Sequence, residues 1–181
     1  MTEAANLLQV IVCAAGPAAD AGRLVRAAQG EGWTVQVVAT PAALDFVDVD
    51  ELGRQTGRPV RSRYRTPDEP KPPRADAIVV APATYNTVNK FAQGIADTYA
   101  LGLLAEAPGL GIPVVVMPCV NAALASRAPF RRSVRALRAE GVRVLLGPEG
   151  FGPGAAGGDP AEAYPWHLAV AALGRPASGS G

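Results

Sequence analysis

The sequence predicts an α/β protein, a three-layer, doubly wound parallel sheet with helices on both faces. Three observations carry this. Apolar, β-branched runs recur along the chain, and they are continuous rather than alternating, as in strands buried on both faces. Small-residue turns follow several of these runs, and amphipathic stretches come next. The first strand, turn, helix and second strand together fit within about 33 residues, a βαβ unit.

Leu7–Cys13 reads as the first strand. Ala14–Gly16 makes a tight turn, and Pro17 suits a first helical turn, where its missing N–H costs nothing. Ala18, Ala21, Leu24, Val25 and Ala28 then recur at helical spacing, and Gly30 and Gly32 bracket the stop. Trp33–Ala39 is the second strand. Thr40 caps a helix opening at Pro41, with Leu44, Phe46 and Val47 as its apolar side. Val49–Thr56 forms another short helix. The segment 57–74 carries many Arg and Pro residues and cannot build a core. It reads as an extended loop with a short edge strand at Val60. Asp76–Ala81 is the third strand, with a helix from the Pro82–Thr87 turn to Gln93 and a further one over Thr98–Ala107. Ile112–Met117 and Val142–Leu146 are the last strands, with helices at Ala122–Ser126 and Phe130–Glu140 between them. A Gly/Pro loop, Gly147–Gly158, precedes a final helix from Asp159/Pro160 to Leu173.

The chain has 181 residues. At about 100–200 residues per domain, that predicts a single domain, 1–174, with a flexible tail at 175–181. Apolar content of 49% with 18% charge belongs to a folded protein. The net charge of +1 gives no field that favours nucleic acid or an anionic membrane as partner. No apolar run reaches the ~18–20 residues of a membrane span, and the N-terminus lacks a secretory pattern, so a cytoplasmic protein is expected. Two distant cysteines make no disulfide scaffold, and with one histidine they offer no metal-ligand spacing.

Ligands of such sheets bind outside the carboxyl ends of the strands. The candidate site is therefore four turns: Ala14–Ala18, Thr40–Ala43, Ala81–Thr87 and Met117–Asn121. Helix N-termini at such turns can hold a phosphate. No Walker pattern exists, and the three-glycine dinucleotide fingerprint is missing after the first strand. The third turn concentrates Thr84, Asn86, Thr87 and Asn89 at the end of a buried strand. Leaving such groups unpartnered would cost about 1–3 kcal/mol each, so either a ligand or an elaborate cap must satisfy them.

The run Ala81-Pro82-Ala83-Thr84-Tyr85-Asn86-Thr87, followed by Asn89-Lys90-Phe91-Ala92-Gln93-Gly94-Ile95-Ala96-Asp97, resembles the signature of the homo-oligomeric flavin-containing cysteine decarboxylases. These include phosphopantothenoylcysteine decarboxylases and lantibiotic enzymes that decarboxylate a peptide's C-terminal cysteine. Their signature is a Pro-Ala-Ser-Ala-Asn-Thr turn and a Lys-x-Ala-x-Gly-x-x-Asp helix. A second element, Pro-x-Met-Asn, is matched in part by Pro118-Cys119-Val120-Asn121. The resemblance covers Leu7 to Leu146 and implies a Rossmann-like flavoprotein fold that binds FMN. By it, the phosphate lies near Gly16, Ala18 and Thr40. The flavin ring lies against Ala83–Thr87, with Thr84 in the turn and Asn86 and Thr87 on ribityl or ring atoms. Asn121 binds substrate carboxylate or amide, and Cys119 lies beside the flavin as a second candidate catalytic group. Trimers or dodecamers are implied, acting on a small-molecule or peptide substrate. In the family reaction the flavin oxidises a cysteine thiol to a thioaldehyde, the carboxylate leaves as CO2, and a histidine upstream of the third strand assists.

Three positions depart from that pattern. No histidine lies between Gly57 and Asp76; the only one is His167, near Tyr164 and Trp166. Asp68 or Glu69 is a candidate replacement base, although an exposed carboxylate is a poor one. Val120 replaces the family's Met, and the Gly147–Gly158 loop, a candidate lid, has no cysteine. The expectation is a flavoprotein with a diverged substrate, or a non-catalytic flavin-binding or regulatory subunit. Among other residues, Cys13 reads as core. Tyr85 either stacks on the flavin or fills the substrate space. Arg131, Arg135 and Arg138 share a helix face that is solvated or bridges subunits.

Overall fold

The computed structural model describes residues 6–146 and 164–176. Five parallel strands form one sheet in the order β2-β1-β3-β4-β5. They are β1 (Leu7–Val12), β2 (Thr34–Ala39), β3 (Ala77–Ala83), β4 (Val114–Pro118) and β5 (Arg143–Val144). The helices are α1 (Ala21–Gly30), α2 (Val49–Thr56), α3 (Tyr85–Ala92), α4 (Tyr99–Glu106), α5 (Ala122–Ala125), α6 (Ala128–Ala139) and α7 (Trp166–Leu173).

Two cores confirm the doubly wound architecture. Alternate strand residues Leu8, Val10, Val12, Val79 and Met117 pack with α1, Leu52 of α2, and α7. The intervening residues Ile11, Cys13, Ile78, Val80 and Val116 pack with α3, α4 and α6 on the other face. That division is the two-residue side-chain period of a strand, with both faces covered. All residues of β1, β3 and β4 are buried.

Several boundaries differ from those the sequence predicts. A 3-10 turn over Gly16–Asp20 precedes α1, so the α-helix itself starts at Ala21. The helix expected from Pro41 is one 3-10 turn, Pro41–Asp45, capped by Thr40, whose side chain accepts from the Ala43 N–H. So short an element has no continuous face, and Leu44 and Phe46 stay 41% and 46% exposed. The edge pairing expected at Val60 is a single parallel bridge between Val38 and Arg61. The last strand is two residues rather than five, and among the described residues it pairs with β4. The Gly147–Gly158 loop, the helix start at Asp159/Pro160 and the tail beyond residue 176 lie outside the described residues. Arg175, expected in that tail, pairs with Glu31 at 3.1 Å. No helix among the described residues is long and apolar enough to cross a membrane.

β1 leads to β2 on one side, while β3 lies on the other side of β1. The sheet order therefore reverses between β1 and β3. The crevice beyond their carboxyl ends is where such sheets place a ligand.

Candidate functional site

The four predicted turns meet along one rim. The Thr40 N–H donates to the Val12 carbonyl at 3.0 Å, the Cys13 N–H to the Pro82 carbonyl at 3.1 Å, and the Cys119 N–H to the Ala83 carbonyl at 2.8 Å. These bonds continue the ladders past the strand ends and lock neighbouring turns together. Across the reversal point, Cys13 Sγ donates to Thr87 Oγ1 at 3.3 Å.

At the third turn, Thr84 caps α3, its hydroxyl accepting from the Thr87 N–H at 3.3 Å. The same hydroxyl donates to Thr87 Oγ1 at 3.1 Å. Asn89 Oδ1 accepts from Ser133 of α6 at 2.7 Å. Three of the four polar residues in this cluster are thus satisfied by the chain itself, as an elaborate cap would have it. Asn86 alone is exposed. Burial therefore does not by itself demand a ligand for Thr84, Thr87 and Asn89.

Gly94 explains the next part of the motif. It adopts φ +71°, and its N–H and that of Ile95 return to the Phe91 and Lys90 carbonyls. This is the helix stop that favours glycine. Lys90 Nζ reaches Asp97 at 2.5 Å across that stop. The Lys-Gly-Asp spacing thus closes α3 and fixes the chain's exit.

The remaining predicted residues also stand at this rim. Gly16 is exposed, and Ala18 and Ala83 are buried. Cys119 is half-buried, and burial pushes its thiol pKa up, which keeps it protonated at neutral pH. Asn121 is exposed and caps α5, its Oδ1 accepting from the Leu124 N–H at 2.9 Å. The Ala18 N–H donates to Ala15. Among the described residues, the N–H groups of Gly16, Ala42, Tyr85 and Asn86 have no acceptor.

Other candidates lie elsewhere. The Tyr85 ring stacks on Phe130 of α6 at 5.7 Å and thus packs against a helix. His167 is exposed on α7, beside Glu31, Gly174 and Arg175 at the carboxyl end of α1. In a parallel α/β fold that end faces away from the rim. Glu69 accepts from Arg63 at 2.8 Å and from the Thr66 N–H, and these hold its carboxyl below the usual range. His167 is thus not placed as a general base for the rim, and the Glu69 carboxylate is already engaged by Arg63. Arg138 donates to the Val144 and Leu146 carbonyls, and Arg131 to that of Ser126, so two of the three aligned arginines tie down backbone.

Sequence reasoning missed Tyr164. Its hydroxyl donates to the Met117 carbonyl at 2.6 Å, bracing the end of β4, and its ring meets Trp166 edge-on at 4.7 Å. The partners stand 47 positions apart, and the signal is two large aromatics two positions apart in a chain with 6% aromatic content.

The donor set at the rim fits a flavin phosphate. No Asp or Glu occurs in residues 14–18, 40–43, 82–87 or 118–121, so the turns themselves carry no negative charge against an anion. Neutral hydroxyls, amides and unpaired N–H groups supply donors, and the alanines leave a low wall for a flat ring. A model of the family described as "Flavoprotein" matches residues 2–163. The chain belongs to the flavoprotein family.

Several known proteins and solved structures are similar to it. Dihydromethanopterin reductase (acceptor) of Methanosarcina mazei is 40% identical over 58 residues, 32% of this chain and 24% of that protein. The coenzyme A biosynthesis bifunctional protein CoaBC of Bacillus subtilis is 34% identical over 77 residues, 42% of this chain and 18% of that protein. The matches therefore span a quarter or less of these curated relatives. Among solved structures, the FMN-dependent cysteine decarboxylase TvaF from thioviridamide biosynthesis superposes with TM-score 0.64 at 29% identity, over 77% of this chain and 88% of that one. The FMN-dependent cysteine decarboxylase SpaF gives TM-score 0.66 at 25% identity, over 79% and 84%.

Proposed function

We propose that this flavoprotein binds FMN at the strand-end rim and acts as an oxidoreductase or decarboxylase-like enzyme on a small thiol, peptide or amino-acid-derived substrate. The observation that carries the reading is the meeting of the four turns at the β1/β3 reversal, with hydrogen-bond donors and no carboxylate among them. In this reading Gly16, Ala18 and Thr40 line the phosphate end. Ala83 and Thr84 form the floor for the ring, and Asn86 and Thr87 face ribityl or ring atoms. Bound FMN would supply a two-electron acceptor for a thiol carbon. The exposed Asn121 orients a substrate carboxylate or amide through its free Nδ2, because its Oδ1 is held by Leu124. Cys119, kept as a neutral thiol, packs beside the substrate as a weak donor. Assembly as a homo-oligomer, trimer or dodecamer, completes the proposal.

One observation favours a second reading, a flavin-binding or regulatory subunit without turnover. The described residues offer no general base at the rim: His167 is distant and Glu69 is tied to Arg63. Anaerobic mixing of the FMN-loaded protein with cysteine-terminated peptides and small aminothiols separates the two. Bleaching of the flavin's long-wavelength band with release of CO2 supports the enzyme. Bound flavin that stays oxidised with every thiol supports the subunit.

A further inference from the structure

A second cavity lies at the other end of the sheet. It is a half-open cleft of about 1020 Å³, at the upper end of small-molecule pockets. Its inner wall includes Gln9 of β1 and Ile78 of β3, which are register partners. The rim begins at Cys13 and Pro82, four residues further along each strand, about 13 Å away at 3.3 Å per residue. Here α4 and the Arg/Pro segment after α2 build the outer wall. Gln36 secures that segment by donating to the Pro59 carbonyl at 2.8 Å.

Gln9 is the unexpected residue. It is 3% exposed, and its Oε1 has no hydrogen-bond partner among the described residues. Tyr99 Oη is buried in the same wall, beside the Arg61 guanidinium. Folded chains rarely bury polar atoms without a use for them. The mouth is cationic: Arg58, Arg65, Lys71 and Arg74 line it against one carboxylate, Glu106. Arg65 and Arg74 bind the Glu69 and Leu110 carbonyls and so shape the segment. The side chains of Arg58 and Lys71 have no partner among the described residues. The remaining wall is apolar, with Ile78, Leu103 and Ile112 opposite Tyr64, whose ring meets Tyr99 edge-on at 5.2 Å. Gly102 makes room for that ring, since a Cβ there would stand 2.0 Å from Tyr64 Oη.

We propose that this cavity is a second ligand site, separate from the rim, for an organic anion with an apolar ring system and an N–H or O–H donor. Arg58 and Lys71 hold the anionic group at the mouth. Ile78, Leu103 and Tyr64 cover the rings, and Gln9 Oε1 accepts from the donor.

Anilinonaphthalene sulfonate has all three features and serves as the probe. Calorimetric titration of the FMN-loaded full chain is expected to give saturable binding of one probe per chain, with no loss of flavin. R58A/K71A should weaken it about tenfold, the scale of losing charge-assisted bonds, with an unchanged melting midpoint. Lys71→Glu, a single change in an exposed position, should weaken it in the same direction and covers the case in which the double variant does not fold. Absence of saturable binding, displacement of the probe by FMN, or undiminished affinity in well-folded R58A/K71A or K71E would each overturn the proposal.

Discussion

Cys13 Sγ and Thr87 Oγ1 lie 3.3 Å apart across the point where the strand order reverses. One belongs to the turn after β1, the other to the first turn of α3, and both are buried. Thr87 also accepts from Thr84. Replacing Thr87 with Val keeps the shape and strands both donors. The expected loss is about 1–3 kcal/mol, read as a lower urea midpoint of the flavin-free chain. An unchanged midpoint would mean that this contact does not hold the two turns together.

Gly94 is the second test of the motif's structural half. Open space surrounds its Cα, so only its φ of +71° opposes a side chain. Gly94→Ala should cost about 1 kcal/mol in thermal unfolding, the usual penalty of left-handed backbone for alanine. A neutral result would remove the helix-stop explanation of the Lys-Gly-Asp spacing.

Gly102→Ala sets two small effects against each other. Alanine improves α4 by about 0.5–1 kcal/mol, while displacing Tyr64 forfeits an edge contact worth about 0.5–1.5 kcal/mol. Stability should barely move. The near-ultraviolet dichroism of the Tyr64–Tyr99 pair should change instead, because the added Cβ and Tyr64 Oη cannot share the space. An unaltered dichroism spectrum would contradict this packing.

Burial raises the pKa of Cys13, Cys119 and Tyr164. Each holds its proton more tightly in the folded chain than in the unfolded one. The stability they contribute is complete below the unfolded values, about 8.5 for a thiol and 10 for a phenol, and is lost as pH rises through the folded ones. Urea midpoints should therefore hold steady near neutral pH and fall in the alkaline range, and Cys119→Ala should make that fall shallower. A midpoint that rises with alkalinity would reverse the assignment.

The strands were legible because burial on both faces leaves long apolar runs, as in Leu7–Cys13 and Asp76–Ala81. α1 was legible because Ala21, Leu24, Val25 and Ala28 keep helical spacing, and all four are buried. The rim followed from parallel topology. The direction of each polar side chain did not follow. Thr84, Thr87 and Asn89 look alike in sequence to groups awaiting a ligand, yet Thr84 and Thr87 bond each other, Cys13 from the turn after β1 donates to Thr87, and Ser133 of α6 donates to Asn89. The short 3-10 turns at Gly16 and Pro41 are not legible in the sequence because proline opens either kind of helix. Gln9 interrupts an otherwise apolar strand, and its buried Oε1 lies beside the cavity at the other end of the sheet.

Flavin occupancy is the most direct test of the central claim. Purified protein, reconstituted with FMN and freed of excess, should carry one flavin per chain by its visible spectrum, and Asn86→Ala/Thr87→Val should carry far less at equal folded content. Protein that stays colourless after reconstitution, or a variant that retains full flavin, would contradict the placement of the cofactor at this rim.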